Sequence, residues 1–261
     1  MGSQIMIGRE FSTVRLRRLL WMLPVLLVLA LGATALWAND AAEPMAEALA
    51  ALQSDGAVRV EVGGPWLVFR PAGSGVPPAG MILYPGGRVD ARAYAPLAHS
   101  LAGSGYLVVV VPMPLNLAIL GANEAAEVIR AYPATDSWAV GGHSLGGAMA
   151  ARFALQHLTL VDGLFLMAAY PAATDSLAGN DIAVVSVFGT EDGLATPAKI
   201  EASRPLLPAS TSWVAIAGGN HAQFGWYGDQ AGDNPALVSR EEQQAQVLEA
   251  ALELMRAIGG R

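Results

Sequence analysis

Gly142-His143-Ser144-Leu145-Gly146 has the spacing G-x-S-x-G, with Gly147 directly after it. A serine hydroxyl becomes a nucleophile when a neighbouring base takes its proton and a carboxylate orients that base. The chain has four histidines: His99, His143, His157 and His221. His143 adjoins the serine but points the wrong way in a tight turn to act on it. His99 falls within an expected helix, and His157 ends one, where a cation suits the helix dipole. His221, in Gly218-Gly219-Asn220-His221, follows the apolar run Trp213–Ala217 and is the expected base, against the bland reading of a solvated loop histidine. For the carboxylate, Gly189-Thr190-Glu191-Asp192-Gly193 follows the run Ile182–Phe188. Asp192 is the expected partner because a turn residue before glycine can project back toward the histidine loop; Glu191 is the alternative. Charge developing on a substrate oxygen calls for backbone N–H donors. Leu145, at the start of a helix, supplies one, and Gly87 in Tyr84-Pro85-Gly86-Gly87 is expected to supply the other. Phe224, Trp226 and Tyr227 cluster after His221 and stand as pocket candidates or as packing. Arg88 is a candidate contact for an acidic substrate group or an ordinary surface arginine.

These residues are useful only if the chain brings them to one place. Continuous apolar runs such as Tyr106–Val111 (YLVVVV) alternate with stretches of helical spacing, as in a mostly parallel sheet covered on both faces. Expected strands are Met81–Tyr84, Tyr106–Val111, Trp138–Gly141, Leu164–Ala168, Ile182–Phe188 and Trp213–Ala217. Val58–Val62 and Trp66–Arg70 read as a hairpin across Gly63-Gly64-Pro65. Expected helices are Ala91–Ser104, Leu117–Ala131, Ser144–His157, Pro197–Leu206 and Ser239–Ile258. The last opens on Ser239 with Glu242 three residues on, a capping box. Each candidate site residue then follows a strand at its carboxyl end, the edge where parallel sheets bind ligands. The G-x-S-x-G pattern alone is weak in a chain with 29 glycines; its strand–turn–helix setting makes it informative, because the tight turn needs glycine two residues either side of the serine.

Composition removes several function classes. The chain has 261 residues and no cysteine, so a disulfide scaffold, a thiolate zinc site and a cysteine nucleophile are excluded. Four scattered histidines give no ligand cluster, and neither a metal nor an organic cofactor is expected. A formal charge of −7 argues against a nucleic-acid partner, which needs clustered Lys and Arg. The 53% hydrophobic fraction and mean hydropathy of +0.40 are high for a soluble domain. Leu19–Ala38 accounts for part of it: 20 residues without a charge, long enough as a helix to span about 30 Å of hydrocarbon. Arg9, Arg15, Arg17 and Arg18 precede it, and Asp40, Glu43 and Glu47 follow, an asymmetry that leaves the N-terminus cytoplasmic and the rest outside. A cleaved signal peptide with Ala33-Thr34-Ala35 as its cleavage site is the competing reading, and it would give a secreted domain. Residues 1–38 hold four Arg and one Glu, so the remainder carries −10. The expected organisation is a basic N-terminus over 1–18, the anchor over 19–38, a stalk helix over 39–56 and one catalytic domain over 57–261.

The Tyr84–Gly87 turn, the Gly-His-Ser-Leu-Gly-Gly elbow and the loop Gly218–Gly225 (GGNHAQFG) resemble a small bacterial group of membrane-anchored serine hydrolases in the α/β-hydrolase superfamily. The resemblance runs from about Val58 to the C-terminal helix. It implies Ser144 as nucleophile, Asp192 as acid, His221 as base, and the N–H groups of Gly87 and Leu145 as oxyanion hole. It further implies a doubly wound, mostly parallel sheet and the hydrolysis of small-molecule carboxylic esters. Tyr84-Pro85 departs from the His-Gly that many esterases carry at the turn holding the second donor. Only about a dozen residues join Ala169 to Ile182, where many relatives insert a lid, so the resemblance implies a lidless, fairly open site suited to small or surface-presented esters more than to a sequestered long chain. A thioesterase, a dienelactone-hydrolase-like lactonase or a peptidase would use the same residues. A non-catalytic, membrane-tethered binding module of the same fold is the rival from another class.

Overall fold

The computed structural model describes residues 40–73 and 75–260, together with 21, 23–29, 32, 34 and 37. The chain divides into two units, Met1–Asp40 and Ala41–Arg261. In the first, the described residues from 21 to 37 are helical and solvent-exposed. Among the described residues no helix is long and apolar enough to cross a membrane, and much of the expected span 19–38 lies outside them.

In the second unit, β1 (Val58–Glu61) and β2 (Leu67–Pro71) form the expected antiparallel hairpin. Six further strands follow: β3 (Gly80–Tyr84), β4 (Leu107–Val110), β5 (Trp138–His143), β6 (Gly163–Met167), β7 (Ala183–Gly189) and β8 (Ser212–Ile216). All join one sheet in the order β1-β2-β4-β3-β5-β6-β7-β8, parallel from β4 to β8. The interior strands are apolar at nearly every position because both faces are covered. Side chains alternate between two cores. Met81 and Leu83 face a cluster completed by α2 (Ala95–Gly103) and α6 (Arg240–Gly259). Ile82 and Val140 face a second, completed by α3 (Glu124–Ala131) and α4 (Leu145–Gln156). Two shorter helices, α1 (Ala46–Ala50) and α5 (Pro197–Ser203), complete the unit.

Two expected helices are shorter than their apolar spacing suggests. The stretch Ala91–Ser104 begins as a 3-10 turn over Ala91–Tyr94 and becomes α-helical at Ala95, with Pro96 in the first turn of α2, where its missing N–H costs nothing. The stretch Leu117–Ala131 opens as a 3-10 turn over Ala118–Leu120 and becomes α-helical only at Glu124, in α3. Just ahead of this stretch Leu115 and Asn116 have φ of 52° and 53°, and within it Gly121, with φ −136° and ψ 31°, separates the 3-10 turn from α3. The capping box of α6 is present, with Ser239 accepting from Glu242 N–H. Residues 41–56, expected as a stalk, belong to the second unit: Ala48 is fully buried, and Ala42 and Pro44 bridge to Val89 and Tyr227. The connection 168–182 consists of turns.

Candidate active site

Five residues other than glycine hold a positive φ among those described: Arg88, Leu115, Asn116, Ser144 and Ala168. They follow β3, β4, β5 and β6, so the strained backbone is gathered at the carboxyl edge of the sheet. Such conformations cost of order 1–3 kcal/mol each and persist where the surroundings impose them.

Ser144 has φ 52° and ψ −121° at the junction of β5 and α4. The flanking glycines allow it. A Cβ at Gly142 would stand 2.6 Å from the Tyr84 carbonyl oxygen, and one at Gly146 2.3 Å from the carbonyl oxygens of both Tyr84 and Pro85. Gly147 lets α4 approach the sheet, since its Cβ would meet that of Ala169 at 2.4 Å. The turn lifts Ser144 to the wall of a cavity of about 310 Å³, shared with Leu145, Ala148, Ala168, Tyr170 and His221.

His221 and Asp192 meet although they come from different loops. Nδ1 of His221 donates to Asp192 Oδ2 at 2.8 Å, and both side chains are almost fully buried. Asp192 Oδ1 accepts the N–H groups of Leu194 and Ala195 at 2.8 and 2.7 Å, so the turn that carries the carboxylate also holds its rotamer. The two loops come together because both lack a side chain at the crossing: a Cβ on Gly189 would stand 2.2 Å from the Gly219 carbonyl oxygen. Glu191 instead points outward and accepts from Thr190 Oγ1. With Nδ1–H committed to Asp192, the Nε2 of His221 is an acceptor; it is buried and has no hydrogen-bond partner, Ser144 Oγ included.

Of the two candidate oxyanion donors, Leu145 opens α4, so its N–H lacks an intrahelical acceptor. Gly86 N–H is taken by Tyr94 Oη at 2.9 Å, leaving Gly87 as the donor of that turn. Gly87 lies against Leu145, whose Cδ2 would be 3.2 Å from a Cβ there. The structure brings Ser144, Asp192, His221, Leu145 and Gly87 to one edge. It does not bring the pocket candidates to the cavity. Phe224 is buried and stacks on His143 with centroids 5.8 Å apart, Trp226 is buried, and Arg88 holds neighbouring segments through its backbone. His99 pairs with Asp55, and His157 packs on Phe153. Among the described residues no three His, Asp or Glu side chains converge as a metal site requires.

The groups that brace these loops were not among the expected site residues. Tyr94 Oη accepts the Gly86 N–H at 2.9 Å and is hydrogen-bonded to His143 Nδ1 at 2.8 Å. His143, fully buried behind Ser144 with its ring 4.5 Å from that of His221, is held well below the ordinary histidine pKa by burial and by that second imidazole. Asp233 spans the acid and histidine loops, accepting from Gly193 N–H at 3.1 Å and Ala222 N–H at 2.8 Å. From the first turn of α6, Arg240 donates to the carbonyls of Ala222 and Gly225, and Gln243 exchanges two bonds with the Asn220 backbone. These bonds join residues from 8 to 49 positions apart with no motif to mark them, so only the polar spacing after the histidine loop could have hinted at them.

A family model described as "Alpha/beta hydrolase family" matches residues 80–245. No curated protein sequence matches the chain. Among solved structures, a predicted CIB-like hydrolase from Thermoplasma acidophilum aligns with TM-score 0.54 and 16% identity, over 76% of this chain and 99% of its own. A candidate dienelactone hydrolase from Klebsiella pneumoniae aligns with TM-score 0.57 and 14% identity, over 77% and 99%. The α/β hydrolase MGS-MChE2, from the metagenome of Mar Chica lagoon sediments in Morocco, aligns with TM-score 0.57 and 13% identity, over 76% and 98%. At these identities the likeness is one of fold.

Proposed function

The chain belongs to the alpha/beta hydrolase family and is a hydrolase; from that premise we propose that it cleaves carboxylic esters through Ser144, His221 and Asp192. The observation that carries the reading is the buried His221–Asp192 pair at 2.8 Å, whose unpaired Nε2 belongs to a residue sharing one cavity with Ser144. Ser144 Oγ attacks the acyl carbonyl as its proton passes to His221 Nε2, a contact that tightens when substrate binds. Asp192 holds the Nδ1–H tautomer and stabilises the imidazolium. The N–H groups of Leu145 and Gly87 take the oxyanion, and the alcohol leaves with the proton from His221. Water, deprotonated by the same imidazole, then attacks the acyl-enzyme and releases the acid.

The domain works outside the cytoplasm, held by the apolar segment Leu19–Ala38. The charge-free length of that segment and the arginines before it support this. Retention of the chain in membranes through alkaline carbonate extraction tests the anchor, and release would indicate cleavage or peripheral attachment. For the chemistry, membranes bearing the intact chain are treated with a fluorophosphonate probe and with p-nitrophenyl esters of increasing length, beside Ser144→Ala. Labelling and turnover that both vanish in Ser144→Ala are the expected result. A folded chain that takes no label would overturn the reading in favour of a binding module. Thioesters, lactones and a peptide in the same panel set the range of acyl groups.

A further inference from the structure

Ala41–Met45, the first residues of the catalytic unit, are strapped across two loops of the candidate site. Ala42 N–H donates to the Arg88 carbonyl at 2.7 Å, Asp90 N–H donates to the Ala42 carbonyl at 3.1 Å, and Met45 N–H donates to the Trp226 carbonyl at 2.8 Å. Arg88 directly follows Gly87, and its N–H donates in turn to the Asn116 carbonyl at 2.8 Å. Strap, glycine turn and the segment Pro114–Leu120 therefore lie side by side at the carboxyl edge of the sheet. That segment exposes Leu115, Ile119 and Leu120 by 38, 56 and 54%. Leu117 turns inward, 4.0 Å from the point a Cβ on Gly87 would occupy, beside the cavity-lining Leu145.

Three large apolar side chains grouped on one short, partly left-handed segment call for a partner. What covers them follows from where the chain enters. Residue 41 opens the second unit at this edge, and the 20 charge-free residues Leu19–Ala38 precede it in sequence. With a formal charge of −7 the chain has no net attraction to an anionic bilayer, so contact with lipid at this edge would rest on these apolar side chains. We propose that the edge carrying Leu115, Ile119 and Leu120 rests on a lipid surface, and that the ester opened at Ser144 is a long-chain amphiphile reaching the cavity from that surface past Leu117 and Leu145. The inference rests on the anchored ester hydrolase of the preceding subsection. The acyl chain stays partly in lipid while its carbonyl meets Ser144; the alcohol leaves with the Ser144 proton relayed by His221, and water then supplies the hydroxyl of the released acid and, through His221, the proton that restores Ser144.

The test uses the full chain in vesicles of equal parts phosphatidylcholine and phosphatidylglycerol. Because the chain has no cysteine, Ile119→Cys accepts one thiol-reactive fluorophore, and Ser210→Cys, exposed before β8 at the opposite edge, serves as the reference. Lipids brominated in their acyl chains are expected to quench the label at 119 and to leave that at 210 bright. Equal quenching, or none at 119 because a second copy covers it, overturns the inference. In the combined variant Leu115→Ser, Ile119→Ser, Leu120→Ser, kcat/KM toward a vesicle-borne monoacylglycerol should fall about tenfold while p-nitrophenyl acetate turnover is unchanged. Loss on both esters, or on neither, also overturns it. If the unsubstituted chain cleaves neither ester, the ester reading has failed, and quenching still decides the lipid-facing edge.

Discussion

At the scale of single residues, the strongest demand on the proposed chemistry falls on Asp192. Its Oδ1 is occupied by two backbone N–H groups, so Oδ2 alone orients His221. Asp192→Asn keeps the shape but offers an N–H where an acceptor is needed. Turnover of p-nitrophenyl acetate should fall by about four orders of magnitude with the melting temperature little changed; a loss under tenfold would point to Glu191 instead. His143 has a different consequence, for stability. Burial and the nearby His221 keep it neutral in the native state, whereas in the unfolded chain it titrates near 6.5. Below that pH the unfolded chain takes up a proton that native His143 refuses. Stability from this residue is therefore complete above pH 6.5 and declines as pH falls, by up to about 1.4 kcal/mol per pH unit until the native ring titrates. Thermal melts from pH 7 to 5 should show a shallower decline in His143→Gln than in the parent chain. The candidate nucleophile, base and acid were legible because each follows an apolar run at a turn. Tyr94 was not, because its role depends on a hydroxyl meeting Gly86 and His143 across the fold.

At the scale of elements, the alternation of apolar runs and helical spacing was enough to read the sheet, and every expected strand is present within a residue or two of its expected ends. The expected helix Leu117–Ala131 is shorter than its apolar spacing suggests because that spacing does not register the non-helical backbone at Leu117 and Gly121. Pocket assignment also fell short: Phe224 and Trp226 neighbour His221 in sequence but point into the core, as aromatic side chains do when burial is available. The braces between loops are the main structural addition, and Asp233 is the most exposed to test. One carboxylate joins the turn carrying Asp192 to the loop carrying His221. Asp233→Ala strands two partly buried N–H groups and should cost about 1–3 kcal/mol in urea unfolding. It should also lower kcat more than it raises KM, because it loosens His221 against Asp192 without touching the cavity wall. A kcat unchanged in the presence of that stability loss would make Asp233 a purely structural brace.

At the scale of the whole molecule, the expected stalk proves to be part of the domain. Ala42→Pro deletes the N–H that reaches Arg88 and should lower stability by about 1 kcal/mol or more. Ester turnover should drop further than in an equally destabilising change placed at the amino edge of the sheet, and parity between the two would deny the strap any hold on the glycine turn. The strap also bears on the order in which the molecule is made. Ala42 and Met45 are among the first residues of the catalytic unit to be synthesised, yet the carbonyl that receives Met45 belongs to Trp226, near the other end of the chain. Contacts so distant in sequence form late, after the loops between them have closed. The two loops of the candidate site therefore stay unfastened through most of synthesis, and the chain acquires a working edge only once nearly all of it has left the ribosome.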